Sequence, residues 1–141
     1  MVRVNKVTDS PELIPKGELI FIGGFAGGTG KTRSAMEIAY ALATKKKQTL
    51  LVDGDTYGPS LGQLLNKLPT QLGLLDVCRK IERKTALTDF LKQDAIQYSQ
   101  FLYFLPGLVK SSRWVDLRSA ALHELWQLAI AQFDYVVVDV G

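Results

Sequence analysis

Four short apolar runs, each followed by glycine, proline or aspartate, predict buried strands along the chain. They lie at residues 19–22, 49–52, 101–105 and 135–138. Over residues 31–44 and 117–132, apolar residues recur every three or four positions, which indicates amphipathic helices. Strands that are apolar on both faces and alternate with helices predict an α/β fold, with a mostly parallel sheet covered by helices on both sides.

The remaining segments carry weaker patterns. Residues 1–18 hold two prolines and a glycine and predict an irregular lead-in, which leaves residues 19–141 as one domain. Because proline fits the first helical turn, a short helix is predicted from Pro59, with three leucines facing inward. These are Leu61, Leu64 and Leu65. Two further short helices are predicted at residues 73–78 and 88–92.

Composition places the chain among ordinary globular proteins. Its 141 residues are 47% hydrophobic and 22% charged, with a net charge of +3. A disordered chain would contain fewer apolar residues. No apolar stretch approaches the roughly 18 residues of a membrane span, and the polar start does not resemble a signal peptide. Cys78 is the single cysteine and cannot form an internal disulfide. We therefore expect a cytoplasmic protein without a strong nucleic-acid signature.

A glycine-rich segment, GGFAGGTGKT at residues 23–32, follows the first predicted strand and opens the first predicted helix. A phosphate-binding P-loop requires this context of strand, loop and helix. Glycines let the backbone approach phosphate closely, and successive N–H groups at a helix N-terminus attract anions. Lys31 is predicted to reach the β- and γ-phosphates of ATP, and the Thr32 hydroxyl to bind Mg²⁺.

The residues predicted to contact the nucleotide form one continuous run. They are Ala26, Gly27, Gly28, Thr29, Gly30, Lys31 and Thr32. The strict pattern G-x-x-x-x-G-K-[ST] fails by one residue, because Phe25 stands where its first glycine is expected and Gly24 lies one place early. Two alternatives stay open: a glycine-rich turn that binds nothing, and a loop that binds nucleotide weakly or without turnover.

Carboxylates follow two of the predicted strands: Asp53 and Asp55 come after the second, and Asp139 after the fourth. Because parallel strands share one carboxyl edge, these residues should lie beside the glycine loop. A buried carboxylate needs a cation or hydrogen bonds, so Thr32, Asp53 and Asp139 are predicted to hold Mg²⁺, directly or through water. Asp55 is predicted to act with Lys31 in catalysis by orienting the attacking water. The alternative for Asp53 and Asp55 is a simple turn.

Together these motifs resemble the MinD/ParA-type ATPases, which have a variant Walker A loop. The resemblance covers residues 19–141 and rests on the order and spacing of five segments. They are GGTGKT at 27–32, LVDGD at 51–55, GLLDV at 73–77, LPG at 105–107 and FDYVVVD at 133–139. The resemblance implies a three-layer P-loop NTPase fold, ATP and Mg²⁺ as cofactors, and an ATP-dependent homodimer. It also implies an ATPase switch that positions or partitions DNA, pili or division machinery.

Two departures from the family pattern change the expected activity. Ala26 stands where the family has a lysine that reaches the partner subunit's phosphates, so we expect slow or undetectable ATP hydrolysis. Relatives continue beyond the last predicted strand, whereas this chain ends at Gly141, and a domain incomplete at its C-terminus is expected. The subfamily within the MinD/ParA-type ATPases stays open. Residues 57–60 are similar to Mrp-type iron–sulfur carriers, and residues 105–117 are similar to CpaE-like proteins.

Other functions stay open beside the ATPase switch. They are a nucleotide-binding adaptor with little or no hydrolysis, an iron–sulfur carrier, and a small-molecule phosphoryl-transfer enzyme. Cluster transfer needs a cysteine pair, which the resemblance to the carriers would place beyond Gly141, and the single Cys78 is expected to be a buried apolar residue. Trp114 is expected to be a packing anchor. The sequence predicts ATP and ADP as ligands and names no protein partner.

Overall fold

The computed structural model describes residues 2–4, 16–66, 73–85 and 90–141. Within these residues, six strands form a single sheet. They are β1 (Val2–Val4), β2 (Glu18–Ile22), β3 (Thr49–Asp53), β4 (Ile96–Gln97), β5 (Leu102–Leu105) and β6 (Tyr135–Asp139). All four predicted strands are present, and the two additional strands, β1 and β4, lie at the edges of the sheet.

Helices lie in the connections from β2 to β3, from β3 to β4 and from β5 to β6. They are α1 (Lys31–Thr44), α2 (Leu61–Leu64), α3 (Leu74–Glu82), α4 (Phe90–Asp94) and α5 (Ser119–Gln132), with a 3₁₀ helix at Ser111–Asp116. The two long predicted helices are confirmed. In the part of the chain that the structure describes, no helix combines the length and apolar character needed to cross a bilayer.

The order of the strands across the sheet is β1-β2-β6-β3-β5-β4. The four central strands run parallel, and β1 and β4 pair antiparallel with their neighbours. The predicted mostly parallel sheet is therefore confirmed. Because all four central strands point the same way, their carboxyl ends lie on one edge, where ligands bind in sheets of this kind.

The sheet is covered on both faces, as the continuous apolar strands predict. On one face α1 buries Ala35, Ala39 and Ala43, whose small side chains let the helix lie close to the strands. On the other face α3 and α5 pack against the sheet, and Phe133 lies fully buried behind α5. Each large apolar side chain withdrawn from water stabilises the fold by about 1.5–3 kcal/mol, so the two layers hold the sheet between them.

Three local predictions need correction. Residues 1–18 do not form an irregular lead-in throughout, because Val2–Val4 pairs with β2 and β2 already begins at Glu18; residues 5–15 lie outside the described residues. Leu64 does not face inward but is 59% exposed, since α2 is a single turn that buries Leu61 on its other side. The last helix begins at Ser119 and not at 117, because the two residues before it have extended backbones.

Candidate nucleotide-binding site

Three central strands bring the predicted site residues to one edge of the sheet. β6 lies between β2 and β3, and its last residue, Asp139, is in register with Ile22 on one side and Asp53 on the other. The glycine-rich loop continues directly from Ile22. Asp53 and Asp139 therefore end adjacent parallel strands, and the predicted shared carboxyl edge is confirmed. Both residues lie at the edge from which the loop leads into α1.

The glycine-rich loop adopts a conformation that depends on its glycines. Gly28 and Gly30 have φ angles of 71° and 78°, in the left-handed region that side-chain-bearing residues rarely adopt. Between them, the Thr29 hydroxyl donates a hydrogen bond of 3.2 Å to the carbonyl of Ala26 and closes the turn. The loop thus has the conformation of a turn leading straight into a helix.

The N-terminus of α1 is open to an anion. Its N-cap residue is Gly30, which offers no side chain to the first N–H groups of the helix, and its first turn contains no acidic residue. Those N–H groups carry the positive end of the helix dipole. The Lys31 ammonium bends back over the loop and donates to the carbonyl of Gly24 at 3.1 Å. A lysine and free helix N–H groups at one loop can bind phosphate.

The tip of the same loop is apolar. Phe25 is fully exposed, and its neighbour Ala26 is exposed as well. The Phe25 ring therefore projects from the loop where the strict P-loop pattern has glycine. Neither Phe25 nor Ala26 carries a charge, and the slow hydrolysis expected from Ala26 stays a prediction.

Asp53 is buried, with a side chain only 2% exposed, and both of its oxygens accept backbone hydrogen bonds. Oδ1 accepts from the N–H of Asp55 at 3.3 Å and Oδ2 from the N–H of Leu61 at 3.1 Å. Burial, helped by the nearby charges of Asp139 and Asp55, raises the pKa of Asp53 to about 7, although these hydrogen bonds lower it. Asp53 therefore ties the loop to α2, and it is poised between its neutral and charged forms.

Asp139 is equally buried, but it is less well satisfied. Its Oδ1 accepts from the N–H of Gly141 at 3.2 Å, while Oδ2 has no hydrogen-bond partner within the described part of the chain. A buried carboxylate oxygen without a partner is costly, and a cation or a cation-bound water would satisfy it. The residues present therefore fit Mg²⁺, which takes few protein ligands and keeps several waters. No cluster of three or more acidic, histidine or cysteine side chains suited to a metal occurs among the described residues.

Asp55 has the turn geometry that the sequence left open as the alternative to catalysis. Its Oδ1 accepts hydrogen bonds from the N–H groups of Tyr57 at 3.0 Å and Gly58 at 2.9 Å. These bonds fold residues 55–58 into a turn beside Asp53. The turn holds the carboxylate at the same edge of the sheet as Asp139, and its role in orienting water stays a prediction.

Gly107 belongs to the site, although the sequence singled it out only as the end of the LPG segment that carries the family resemblance. A Cβ atom on Gly107 would lie 2.9 Å from the carbonyl oxygen of Asp53 and 3.1 Å from its carboxyl carbon. The glycine thus lets residues 106–109 pass directly over Asp53, beside a cavity of about 210 Å³ that is also lined by Pro59 and Gln63. A glycine directly after a parallel strand, at the ligand-binding edge, was the available signal.

The raised pKa of Asp53 predicts a pH dependence of stability in the absence of metal. Between the ordinary carboxyl pKa of 3.8 and the folded value of about 7, the folded chain holds a proton that the unfolded chain has lost, so stability falls as the pH rises across this range and levels off above it. Between pH 5 and 8 the unfolding free energy of the unmodified chain should fall by about 2–3 kcal/mol relative to Asp53→Asn. Urea melts in EDTA at several pH values measure this difference; parallel pH profiles for the two proteins would contradict it.

Comparison with known proteins identifies the family. Residues 20–136 match the CbiA family, described as the CobQ/CobB/MinD/ParA nucleotide binding domain. Because the match covers most of the chain, the protein belongs to this family. The chromosome partitioning protein ParA of Myxococcus xanthus is 28% identical over 126 residues, which are 87% of this chain and 44% of that protein. An iron–sulfur cluster carrier protein of Deinococcus radiodurans is 26% identical over 135 residues, covering 95% of this chain and 36% of that protein.

Solved structures agree with this assignment. A ParA family ATPase from Chlorobium tepidum matches 87% of this chain and 51% of its own with a TM-score of 0.78; at 22% identity it supports the fold. The septum site-determining protein MinD from Pyrococcus horikoshii, complexed with Mg-ADP, matches 87% of this chain and 49% of its own, with a TM-score of 0.66 and 27% identity. The chain is thus a MinD/ParA-type P-loop domain that spans about half the length of these proteins or less.

Proposed function

We propose that this chain is the nucleotide-binding part of an ATP-dependent switch of the MinD/ParA type. One observation carries the proposal: a helix N-terminus without a side-chain cap, with the Lys31 ammonium folded over its loop, lies at the same sheet edge as Asp139, a buried carboxylate with an unsatisfied oxygen. The first feature suits phosphate, and the second suits a divalent cation. Nucleotide phosphates and Mg²⁺ together require both.

Each predicted residue has a role in this proposal. The backbone N–H groups of residues 26–32 surround the phosphates, and Lys31 neutralises the charge on the outer two. Thr32 and Asp139 hold Mg²⁺, and Asp53 contacts one of its waters. Mg²⁺ would lower the pKa of Asp53, because a neighbouring cation favours the charged carboxylate. Metal binding would therefore reverse the loss of stability that the charged Asp53 causes.

The proposed cellular role is a cytoplasmic switch, dimeric with ATP, that positions or partitions DNA, pili or division machinery. The names of the ParA and MinD relatives support this role. A second candidate, an adaptor that binds nucleotide with little or no hydrolysis, is favoured by the apolar loop tip formed by Phe25 and Ala26. Iron–sulfur transfer has weaker support in the described residues, because burial raises the pKa of the Cys78 thiol to about 12 and disfavours the thiolate that binds iron.

Calorimetric titration of the chain with ATP and ADP, with and without Mg²⁺, tests the proposal. Binding of both nucleotides that tightens when Mg²⁺ is added is the expected result. Titration with GTP at the same concentrations tests the choice of base. No detectable binding of any nucleotide would leave the glycine-rich loop as a turn and would reject the proposed function.

Ala26 predicts slow turnover even if nucleotide binds well. Charge that develops on the phosphate oxygens in the transition state lacks the lysine partner that relatives provide across the dimer. Ala26→Lys should raise phosphate release about tenfold or more, and Ala26→Gln, which adds a side chain of similar reach without charge, should not. A phosphate-release assay at several protein concentrations measures this. Fast hydrolysis by the unmodified chain, independent of its concentration, would contradict the prediction.

A further inference from the structure

A second cavity lies on the far side of the loop that passes over Asp53. It has a volume of about 220 Å³ and is separate from the glycine-rich loop. Its lining residues come from α3, from the loop after β5 and from the 3₁₀ helix. They are Leu75, Asp76, Arg79, Gly107, Leu108, Val109, Lys110 and Arg113. We refer to it as the 75–113 cavity.

Positive charge predominates around the 75–113 cavity. Arg79, Lys110 and Arg113 line it, and the one carboxylate in its lining, Asp76, is used by α3 itself, because its Oδ2 accepts from the N–H of Gly73 at 3.1 Å. Asp116, just outside, pairs with both arginines. Lys110 forms no ion pair with any described residue. The rim therefore keeps a cation that an incoming carboxylate could neutralise.

Exposed apolar side chains extend from the cavity. Val109, in its lining, is 67% exposed, and Val115 in the 3₁₀ helix is 65% exposed. Trp114, predicted to be a packing anchor, is instead 47% exposed, and its ring lies 6.2 Å from that of Tyr57, which is 77% exposed. Neighbouring exposed apolar and aromatic side chains on a soluble domain are typical of a protein interface. Tryptophan, tyrosine and arginine together are the residue types that dominate interface energies.

We infer that the 75–113 cavity and its exposed aromatic flank dock an acidic segment of a partner protein, with one apolar side chain of that segment in the cavity. The apolar lining and the volume suit a side chain, and Lys110, which has no ion pair among the described residues, suits a flanking carboxylate. A small anion would leave the flank formed by Tyr57, Trp114 and Val115 exposed, so a peptide accounts for more of the surface. Such a surface has the apolar centre and charged rim of a protein interface.

The cavity shares a wall with the proposed nucleotide site. The N–H of Leu74 donates to the carbonyl of Pro106 at 2.8 Å, and Gly107 packs against Asp53. A Cβ on Gly73 would lie 2.6 Å from the carbonyl oxygen of Gly107, so α3 and this loop are held in close contact. A partner bound in the cavity would contact residues 107–109, which belong to the loop that covers Asp53. This inference rests on the proposed function, because the contact between Gly107 and Asp53 links the partner to nucleotide binding only if Asp53 belongs to the nucleotide site.

Three capped synthetic peptides test the inference against the full 141-residue chain. The first has two glutamates on either side of a leucine, the second replaces that leucine by serine, and the third replaces the glutamates by lysines. Chemical-shift changes in ¹H–¹⁵N spectra report where each peptide binds. We expect the first peptide alone to bind saturably, with the changes concentrated at Tyr57 and in residues 73–79 and 106–116. Raising the salt from about 0.1 to about 0.5 M should weaken it several-fold.

Two variants and a matched control sharpen the test. Lys110→Glu should weaken binding of the first peptide about tenfold or more, because it turns an attraction into a repulsion. Val109→Ser should weaken it several-fold by removing apolar contact. Lys47→Glu makes the same charge change at an exposed lysine just before β3, at the opposite end of the strands, and should leave binding unchanged. Thermal melts confirm that each variant is folded.

Four results would overturn the inference. Two are that the lysine peptide or the serine peptide binds as tightly as the first peptide, and the third is that the first peptide does not bind at this surface. The fourth result is that the same shift changes occur when the protein concentration alone is raised. The last would make a second copy of the chain the occupant. Mg-ATP binding, measured in parallel, separates this inference from the proposed function. If Mg-ATP binds and the peptide does not, only the docking inference fails; if Mg-ATP does not bind, the proposed function fails.

Discussion

Replacing Lys31 by alanine should abolish phosphate-dependent nucleotide binding while leaving the fold intact. The ammonium lies over the glycine-rich loop, where it would meet the outer phosphates, and a charge-assisted hydrogen bond of this kind contributes about 1.5–3 kcal/mol. Its loss should weaken binding of Mg-ATP and Mg-ADP by about 10- to 150-fold. Calorimetric titration of both nucleotides against the unmodified chain and Lys31→Ala measures the effect.

The fold should tolerate this change, because the Lys31 ammonium donates its hydrogen bond to the carbonyl of Gly24 within the same exposed loop. The melting temperature without nucleotide should therefore stay within about 2 °C of the unmodified value. Lys47→Ala removes one positive charge at the opposite end of the strands and serves as the matched control. Equal nucleotide affinity in Lys31→Ala and the unmodified chain would show that the loop does not bind phosphate.

The central sheet was predictable from the sequence because its strands are buried on both faces and read as unbroken apolar runs. The residues of β3 are all buried, for example, and Leu50, Leu51 and Val52 form its apolar run. The edge strands were not predictable in the same way. Val2–Val4 and Ile96–Gln97 have three and two residues, too few for any period to appear, and their pairing depends on which neighbour the fold places beside them.

The positions of the site residues followed from chain order alone. Once the strands are parallel, Asp53 and Asp139 must end at the same edge as the loop that follows β2, whatever the details of packing. The contacts that shape the site were not accessible in this way. The hydrogen bond from Leu61 to Asp53 and the close passage of Gly107 join segments that only the folded chain brings together.

Side-chain exposure was the least predictable property, because it depends on which surfaces the fold leaves uncovered. Leu64 and Trp114 are apolar and were expected to pack inward, yet both are exposed on short, irregular helices. A single turn can bury one side only, and a 3₁₀ helix has no stripe of residues that faces a core. Trp114, left exposed in this way, belongs to the aromatic flank that we propose as a docking surface.

Asp139→Asn should remove the Mg²⁺ dependence of nucleotide binding. Asparagine keeps the size of the side chain and an acceptor for the N–H of Gly141, but it has no charge for a cation. In the unmodified chain, Mg²⁺ should tighten ATP binding about tenfold or more, and in Asp139→Asn this gain should fall to about twofold or less. ATP binding without Mg²⁺ should change little, because Lys31 and the helix N-terminus remain.

Stability separates this metal role from a purely structural one. Asp139 raises the pKa of Asp53 by charge repulsion, so removing its charge should leave the metal-free protein as stable as before or more stable above pH 7. If Asp139 were a structural residue, the same variant would melt at a lower temperature and would respond to Mg²⁺ as the unmodified chain does. Asp55→Asn is the matched control, because its carboxylate mainly accepts turn hydrogen bonds and its loss should spare the effect of Mg²⁺ on binding. Retention of the full Mg²⁺ effect in Asp139→Asn would reject Asp139 as a metal ligand, and the cost of its buried, unpaired oxygen would then need another explanation.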